Sequence, residues 1–298
     1  MTTNWLQGTF TALVTPFLAS GEVDFDAFEK ILEFQIANGV TGVVVGASTG
    51  ENFALTFNEK TALLVKAVEI AKGRIKIIAG TGTNETKSTC DNTVLAQELG
   101  ADAALVVMPY YNKPTQFGLY EHYRLVAEQA KGLPIIIYNI PGRSSVNMLP
   151  ETMVKLANDF ENIAACKEAS GNIEQMMQIV KDAPAKFAVL SGDDSFTLPL
   201  IMVGGRGVIS TISNYLPKEF SEMVSYALNG EHAKAREIHY RIFDLMKLNF
   251  IETNPGPVKY VMSQLGFCKE VYRLPMVPVA KANKNILNVE LKKLGIIE

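Results

Sequence analysis

A single lysine stands at the end of a short apolar run in the middle of the chain. Residues 163–166 read IAAC, and Lys167 follows them directly. An amine packed among apolar neighbours loses the solvation of its charged form, so its pKa falls. The neutral amine can then attack a ketone and form a Schiff base. The alternative is an ordinary surface lysine whose ammonium group stays in water. A helical pattern starts at Ile173, and Ser170 is its predicted N-cap.

Hydroxyl, phenol and guanidinium groups follow other short apolar runs. Phenols and hydroxyls can pass protons while the lysine amine acts as the nucleophile, so the set suits proton transfer at a carbonyl. Each group also has a structural alternative, because the tyrosine pair can be packed aromatics and the arginine can lie in a plain turn. The candidates are Ser48, Thr49, Tyr110, Tyr111, Tyr138, Arg143, Gly192, Asp193, Asp194 and Ile209.

Eight apolar segments alternate with helical patterns and would position these groups. Continuous apolar runs are typical of parallel strands that are covered on both faces. The predicted strands are 9–14, 42–45, 75–79, 103–107, 135–139, 163–166, 187–190 and 207–210. The intervening helical patterns are 24–38, 58–72, 87–99, 117–130, 150–157, 173–181 and 196–202. This order predicts a (β/α)8 TIM barrel, whose strand ends share one rim where active sites lie.

Four further helical patterns follow the eighth strand. They cover residues 218–228, 231–250, 257–265 and 283–294, with no strand between them. No Gly/Ser-rich linker separates them from the barrel. The predicted organisation is a catalytic barrel over residues 1–229 and a C-terminal helical extension over residues 230–298.

Composition and charge argue against several classes of partner. The chain has 298 residues, a net charge of −3 and no long basic run, so neither nucleic acid nor an anionic membrane is an expected partner. No apolar run approaches the length of a membrane span, and the N-terminus lacks the pattern of a signal peptide. Three scattered cysteines without a CxxC spacing favour a reducing compartment. We therefore expect a cytoplasmic protein.

The usual cofactor and metal motifs are missing from the sequence. The stretch Gly80-Thr81-Gly82 lacks the third glycine of a dinucleotide-binding loop. The histidines at 122, 232 and 239 lack the spacing of metal ligands. No GxSxG elbow is present. These absences argue against a nicotinamide cofactor and a catalytic metal.

Five motifs occur in an order and spacing that resemble a known family across nearly the whole chain. The motifs are 46–51 (GASTGE), 109–112 (PYYN), 138–141 (YNIP), 167–171 (KEASG) and 191–194 (SGDD). Together they resemble the dihydrodipicolinate synthase family, which belongs to the pyruvate-dependent class I aldolases that also include N-acetylneuraminate lyase. The resemblance implies a barrel enzyme that works through a Schiff base.

The resemblance also implies a role for each candidate residue. Lys167 would form the Schiff base with pyruvate, and Tyr138 would lie against the adduct and shuttle protons. Ser48 or Thr49, Tyr111 and Tyr138 would form a proton relay. Thr49 would hold the pyruvate carboxylate, and Gly192 and Ile209 would border the pyruvate pocket.

Arg143 separates the synthases from the lyases in this resemblance. It is the sixth residue of a Tyr-Asn-x-Pro-x-Arg pattern that starts at Tyr138, and in the synthases it would hold the carboxylate of the second substrate. A planar guanidinium suits that task because it pairs with both carboxylate oxygens. The lyases usually lack this arginine. Ser48 departs mildly from the synthases, which commonly have threonine there, but the hydroxyl is kept.

The implied reaction is condensation of pyruvate with aspartate β-semialdehyde in lysine biosynthesis. The implied assembly is a homotetramer of tight dimers in which Tyr111 reaches into the neighbouring site. Three rivals remain open at this point: a sugar-acid or N-acetylneuraminate lyase of the same family, a catalytically silent ligand-binding protein, and a generic barrel oxidoreductase. A silent binder is expected to lose Lys167 or Tyr138, and both are present.

Feedback inhibition by lysine is a property of many synthases of this family. The positions that match their inhibitor pocket are Asn52, Phe53, Phe57, Lys60, Asn84, Ser88 and Tyr110. Sensitive members carry a histidine or other polar groups at the positions of Phe57 and Lys60 and a glutamate at that of Ser88. A lysine ligand needs acceptors for its ammonium groups, and Phe57 has none. We therefore predict weak or absent inhibition by lysine.

Overall fold

The computed structural model describes residues 3–298, and its centre is a closed barrel of eight parallel strands. Each strand pairs with the next one in the chain, and β8 returns to pair with β1. The strands are β1 (Gly8–Ala12), β2 (Gly42–Val45), β3 (Lys76–Gly80), β4 (Ala103–Val107), β5 (Ile135–Asn139), β6 (Ile163–Glu168), β7 (Ala188–Ser191) and β8 (Gly207–Ser210). The predicted TIM barrel is confirmed.

Helices connect the strands and then continue past the last one. Those of the barrel are α1 (Phe25–Ala37), α2 (Phe57–Ala71), α3 (Thr86–Glu98), α4 (Gln116–Gln129), α5 (Pro141–Ser144), α6 (Pro150–Asp159), α7 (Ile173–Asp182) and α8 (Thr197–Met202). The later ones are α9 (Pro217–Leu228), α10 (His232–Leu248), α11 (Gly256–Gln264) and α12 (Lys281–Lys293). Short 3₁₀ turns cover Ser48–Gly50, Asn52–Ala54 and Ile212–Asn214.

Two local details differ from the sequence prediction. Residues 141–144 are a one-turn helix with Pro141 in its first turn, although a plain turn was the alternative considered for them. The N-cap of α7 is Asn172, whose side chain accepts a hydrogen bond from the backbone N–H of Gln175. The prediction that Ser170 caps this helix is wrong, because its hydroxyl instead accepts from the N–H of Asn172 one turn earlier.

Apolar side chains fill two separate layers of the barrel. An inner cluster occupies the barrel interior and includes Phe10, Val44, Leu105 and Leu190. A larger outer cluster lies between the strands and the surrounding helices. Alternation of side chains along each strand sends every second residue into one layer or the other. Tyr138 belongs to the inner cluster, so its ring is directed into the barrel and not toward the helices.

The C-terminal helices are joined to the barrel through polar contacts as well as apolar packing. Arg273 forms an ion pair with Glu59 of α2 and also donates a hydrogen bond to the carbonyl of Ala54. Lys259 of α11 forms an ion pair with Glu51, with Nζ and Oε1 2.6 Å apart and both side chains fully buried. The extension is therefore anchored to the segment that follows β2. No helix within residues 3–298 has the length and apolar character needed to span a bilayer.

Candidate active site

The end of β6 buries the amine of Lys167 inside the mouth of the barrel. The side chain is 5% exposed, and apolar residues precede it on the strand. Burial, opposed by Asp194 and aided by the nearby Arg143, lowers the pKa of Lys167 to about 7. A substantial fraction of the amine is therefore neutral near pH 7, and it can act as a nucleophile.

The adjacent strand places a phenol directly beside this amine. Tyr138 of β5 pairs with Lys167 across the β5–β6 ladder, and the Nζ atom lies 4.3 Å from the centre of the ring. Burial raises the pKa of Tyr138 to about 12, while Arg143 opposes that rise. The phenol is consequently protonated at neutral pH and can donate a proton to a group that forms on the lysine.

The 3₁₀ turn after β2 brings two hydroxyls to the same rim. Thr49 is buried, and its Oγ1 accepts a hydrogen bond of 2.9 Å from the side-chain amide of Asn254. Ser48 lines the neighbouring cavity. The residue after this turn, Glu51, has a left-handed backbone (φ +52°), a conformation that an L-residue keeps only where its surroundings hold it. Its buried pairing with Lys259 supplies that restraint.

A glycine follows β7 beside Lys167, and an apolar residue of β8 lies in the inner cluster. A Cβ atom at Gly192 would lie 2.6 Å from Cβ of Ala169 and 3.1 Å from Cγ of Lys167, so only glycine fits there without displacing the lysine. Ile209 of β8 is buried in the inner cluster.

Asp194 follows β7 and accepts hydrogen bonds from the backbone N–H groups of Thr211 and Ile212. Burial raises the pKa of Asp194 to about 6.

Arg143 lies on α5 at the outer edge of the mouth. Its side chain is exposed, and Nη2 donates a hydrogen bond of 3.0 Å to the backbone carbonyl of Asn254. The remaining guanidinium N–H groups can reach an anion in the mouth, since the cavity wall includes this residue. The geometry fits a carboxylate clamp at the entrance.

The structure does not bring Tyr111 into the site of its own chain. The side chain is 87% exposed, and its backbone is left-handed (φ +76°). Tyr110, beside it, lines the cavity. An exposed aromatic ring and a left-handed backbone at a residue other than glycine are both features that occur at functional sites and interfaces.

A cavity of about 370 Å³ is lined both by residues of the barrel mouth and by four residues of the predicted inhibitor pocket. Its catalytic side is lined by Ser48, Tyr138 and Arg143. Its other side is lined by Asn52, Phe53, Lys60 and Tyr110. Lys60 therefore faces the cavity, and burial lowers its pKa.

Among residues 3–298, no three side chains of His, Cys, Asp or Glu come together in a way that could hold a metal ion.

Comparison with known proteins identifies the family to which this chain belongs. The model of the dihydrodipicolinate synthetase family matches residues 5–294. The chain belongs to that family. A family member from Aquifex aeolicus, named 4-hydroxy-tetrahydrodipicolinate synthase, is 49% identical over 97% of this chain and 98% of its own. The namesake from Methanocaldococcus jannaschii is 47% identical over 98% of this chain and 99% of its own.

Solved structures of the dihydrodipicolinate synthase family have the same fold. The crystal structure of the Aquifex aeolicus enzyme has a TM-score of 0.95 and covers 97% of this chain and 98% of its own. A crystal structure of the chloride-inhibited enzyme of Acinetobacter baumannii complexed with pyruvate is 40% identical. Its TM-score is 0.96, and the match covers 98% of this chain and all of that one.

Two polar residues of this dihydrodipicolinate synthase family member escaped the sequence reasoning. Asn254 contacts both Thr49 and Arg143, and Lys259 pairs with Glu51. Both lie in the C-terminal extension, more than 100 residues from their partners in sequence. The one available signal was Lys259 itself, a charged residue in the apolar helical pattern that starts at 257.

Proposed function

We propose that the protein condenses pyruvate with L-aspartate β-semialdehyde to give 4-hydroxy-tetrahydrodipicolinate, in the diaminopimelate pathway to lysine. The observation that carries the proposal is the buried amine of Lys167, with its lowered pKa, facing the protonated phenol of Tyr138. Membership of the dihydrodipicolinate synthetase family agrees with it, as do the names of the relatives from Aquifex aeolicus and Methanocaldococcus jannaschii.

The covalent chemistry starts at the lysine. Neutral Lys167 attacks the ketone carbon of pyruvate, and loss of one water molecule gives an imine. Loss of a methyl proton converts the protonated imine to an enamine, whose carbon attacks the aldehyde. The aldehyde oxygen takes up a proton and becomes the 4-hydroxyl group. The amine of the second substrate then attacks the imine carbon, releases Lys167 and closes the six-membered ring.

The surrounding residues would serve these steps. Tyr138 moves protons at the adduct, with Ser48 or Thr49 and Tyr111 completing a relay. Thr49 holds the pyruvate carboxylate, and Gly192 and Ile209 form the wall of its pocket. Arg143 holds the carboxylate of the semialdehyde. The protonated imine is the electron sink, so the proposed cycle uses no metal or organic cofactor.

The assembly and location are parts of the same proposal. We propose a homotetramer built from tight dimers, with Tyr111 completing the site of the neighbouring subunit, since its ring is 87% exposed in the single chain. A cytoplasmic location rests on the scattered cysteines. The division into a catalytic barrel (1–229) and a helical extension (230–298) stays a prediction.

A direct assay distinguishes this activity from its nearest rival. We expect purified protein to consume pyruvate only when aspartate β-semialdehyde is present, and to leave N-acetylneuraminate uncleaved. Lys167→Ala protein, prepared in parallel, should be inactive with both substrates. Cleavage of N-acetylneuraminate or another sugar acid, without condensation, would identify a lyase of the same family instead.

A further inference from the structure

Asn254 lies between the two residues assigned to the two substrates. Its side-chain Nδ2 donates a hydrogen bond of 2.9 Å to Oγ1 of Thr49. Its backbone carbonyl accepts a hydrogen bond of 3.0 Å from Nη2 of Arg143. The residue is 5% exposed, and its contact with Thr49 is buried, so bulk water does not compete for that bond. One residue of the C-terminal extension thus contacts the proposed pyruvate subsite with its side chain and the proposed semialdehyde subsite with its backbone.

The direction of the side-chain bond decides what the threonine can do. A hydroxyl has one proton to donate and two lone pairs that accept. Because Oγ1 of Thr49 accepts from Asn254, its own proton stays free to be donated. A carboxylate is an acceptor only, and its hydrogen bonds from charged or oriented donors are the strong ones. The amide therefore presents Thr49 to an anion as a donor.

A second contact, close to the Asn254–Thr49 hydrogen bond, joins the same two backbone segments. Lys259 follows Asn254 by five residues, and Glu51 follows Thr49 by two. The Lys259–Glu51 ion pair is fully buried, and Nζ also lies 4.0 Å from the centre of the Phe17 ring. The segment that carries Asn254 and the turn that carries Thr49 are consequently held to each other at two points. A fixed donor contributes more than a mobile one, since no ordering is needed when the ligand arrives.

Burial of the Asn254 amide also lowers the stability of the fold, so packing alone does not explain it. Its Oδ1 is buried and has no hydrogen-bond partner within residues 3–298. A buried acceptor without a partner destabilises the fold relative to an apolar side chain of similar shape. The amide is therefore better explained by its effect on Thr49 than by stability.

We propose that Asn254 is a positioning residue of the pyruvate subsite, whose side chain directs the Thr49 hydroxyl toward the substrate carboxylate. This inference rests on the proposed function, in which Thr49 holds the carboxylate of pyruvate. We expect the side chain to act on pyruvate alone, since the contact with Arg143 uses the backbone carbonyl, which a change of side chain does not remove.

The first test is Asn254→Ala, measured on both substrates. We expect the KM for pyruvate, and the pyruvate concentration that gives half-maximal borohydride trapping on Lys167, to rise about tenfold, as for the loss of one oriented hydrogen bond. The KM for the semialdehyde should be unchanged. A matched control is Asn249→Ala, a buried asparagine of the same extension that contacts Tyr215 and no site residue. It should lower the melting temperature without a change specific to pyruvate.

The second test is a double-mutant cycle with Thr49→Val, which removes the hydroxyl. In that background, Asn254→Ala should leave the pyruvate constants almost unaltered, because its effect acts through the hydroxyl. Asn254→Asp, which keeps the shape but replaces the donor with an acceptor, repeats the cycle if the alanine variant does not fold. Its carboxylate accepts the Thr49 proton, so pyruvate binding should weaken more in the Thr49 background than in the Thr49→Val background, where only the added charge acts.

The outcomes separate this inference from the proposed function. If wild-type protein forms no adduct with pyruvate, the function itself is wrong. If wild type forms the adduct but Asn254→Ala weakens both substrates equally, or is additive with Thr49→Val, Asn254 is only structural and the inference fails. A pyruvate-specific change that disappears in the Thr49→Val background establishes the positioning role.

Discussion

Lys167 and Tyr138 are direct partners across two adjacent strands, with the amine 4.3 Å from the centre of the phenol ring. Burial shifts their pKa values in opposite directions, to about 7 for the amine and about 12 for the phenol. Near pH 7 the pair therefore holds a neutral nucleophile beside a proton donor. Groups with pKa values pushed apart by one environment are the usual arrangement for covalent acid–base chemistry.

The first prediction concerns the pH dependence of adduct formation. Borohydride with pyruvate should add a reduced pyruvyl group to the peptide that contains Lys167, and the trapping rate should rise as pH increases through about 7, because the amine becomes neutral there. Lys167→Ala should give no adduct, whereas Lys181→Ala, at a lysine whose side chain is 74% exposed, should behave as wild type. Labelling of another lysine, or an inflection near the ordinary value of 10.5, would contradict this assignment.

The same lysine should reduce the stability of the fold. Its pKa is about 7 when folded and 10.5 ordinarily, so between these values the unfolded chain binds more protons and stability rises with pH. The unfavourable contribution of Lys167 is complete below about pH 7 and absent above about pH 10.5. We expect Lys167→Met to raise the melting temperature at pH 7 and to lose this advantage by pH 10. A gain that does not depend on pH would mean that the charge is not the cause.

Arg143→Ala should impair use of the semialdehyde far more than formation of the pyruvate adduct. The side chain is exposed, so the expected loss is that of a hydrogen bond to a charged group, about 1.5–3 kcal/mol, or roughly ten- to a hundredfold in KM for the second substrate. The KM of Arg143→Lys for the semialdehyde should lie between those of wild type and Arg143→Ala, because lysine keeps the charge but lacks the planar guanidinium. Equal weakening of both substrates would show that Arg143 does not hold the second carboxylate.

Tyr111 should act in the neighbouring subunit. Mixing inactive Tyr111→Phe and Lys167→Ala proteins under subunit exchange should restore activity, because one site in a mixed dimer regains both groups. The control variant is Tyr240→Phe in place of Tyr111→Phe. Tyr240 lies on α10 and is 68% exposed, against 87% for Tyr111. That variant should be fully active alone. Mixed dimers that form but stay inactive would contradict a shared site.

Lysine should inhibit weakly or not at all. Lys60 faces the cavity and adds a like charge, while Phe57 offers no acceptor. The hydroxyl of Ser88 is already donated to Glu85, at 2.7 Å. We expect steady-state rates to stay flat across sub-millimolar lysine, and Ser88→Glu to introduce inhibition that Lys87→Glu, at an exposed neighbour, does not. Clear partial inhibition of wild type in that range would overturn the prediction.

Much of the barrel was predictable because its strands carry a strong local pattern. Each is a continuous apolar run, since both of its faces are covered, and the candidate groups at its end follow from chain order. Lys167 and Tyr138 lie side by side on β6 and β5, and Thr49 follows β2, as chain order predicts. The boundaries shifted by one or two residues where polar groups belong to a strand, as Glu168 does in β6.

The residues that sequence reasoning missed are those whose role depends on contacts between distant segments. Asn254 lies in a loop between two helical patterns and has no periodic neighbour that marks it. Its contact with Thr49 spans 205 residues, and local spacing carries no information about such a pair. Ser170 was mistaken for the cap of α7 because Ser170 and Asn172 both suit an N-cap, and only the backbone geometry distinguishes them.

The buried Glu51–Lys259 pair has a consequence for the chain during its synthesis. Glu51 leaves the ribosome 208 residues ahead of its partner. At about 5–20 residues per second, Lys259 appears roughly 10 to 40 s later. A nascent barrel that closed in this interval would bury a carboxylate without its counter-ion, which is strongly unfavourable. We therefore expect the loop after β2 to stay hydrated until α11 emerges, so that the C-terminal extension completes the fold.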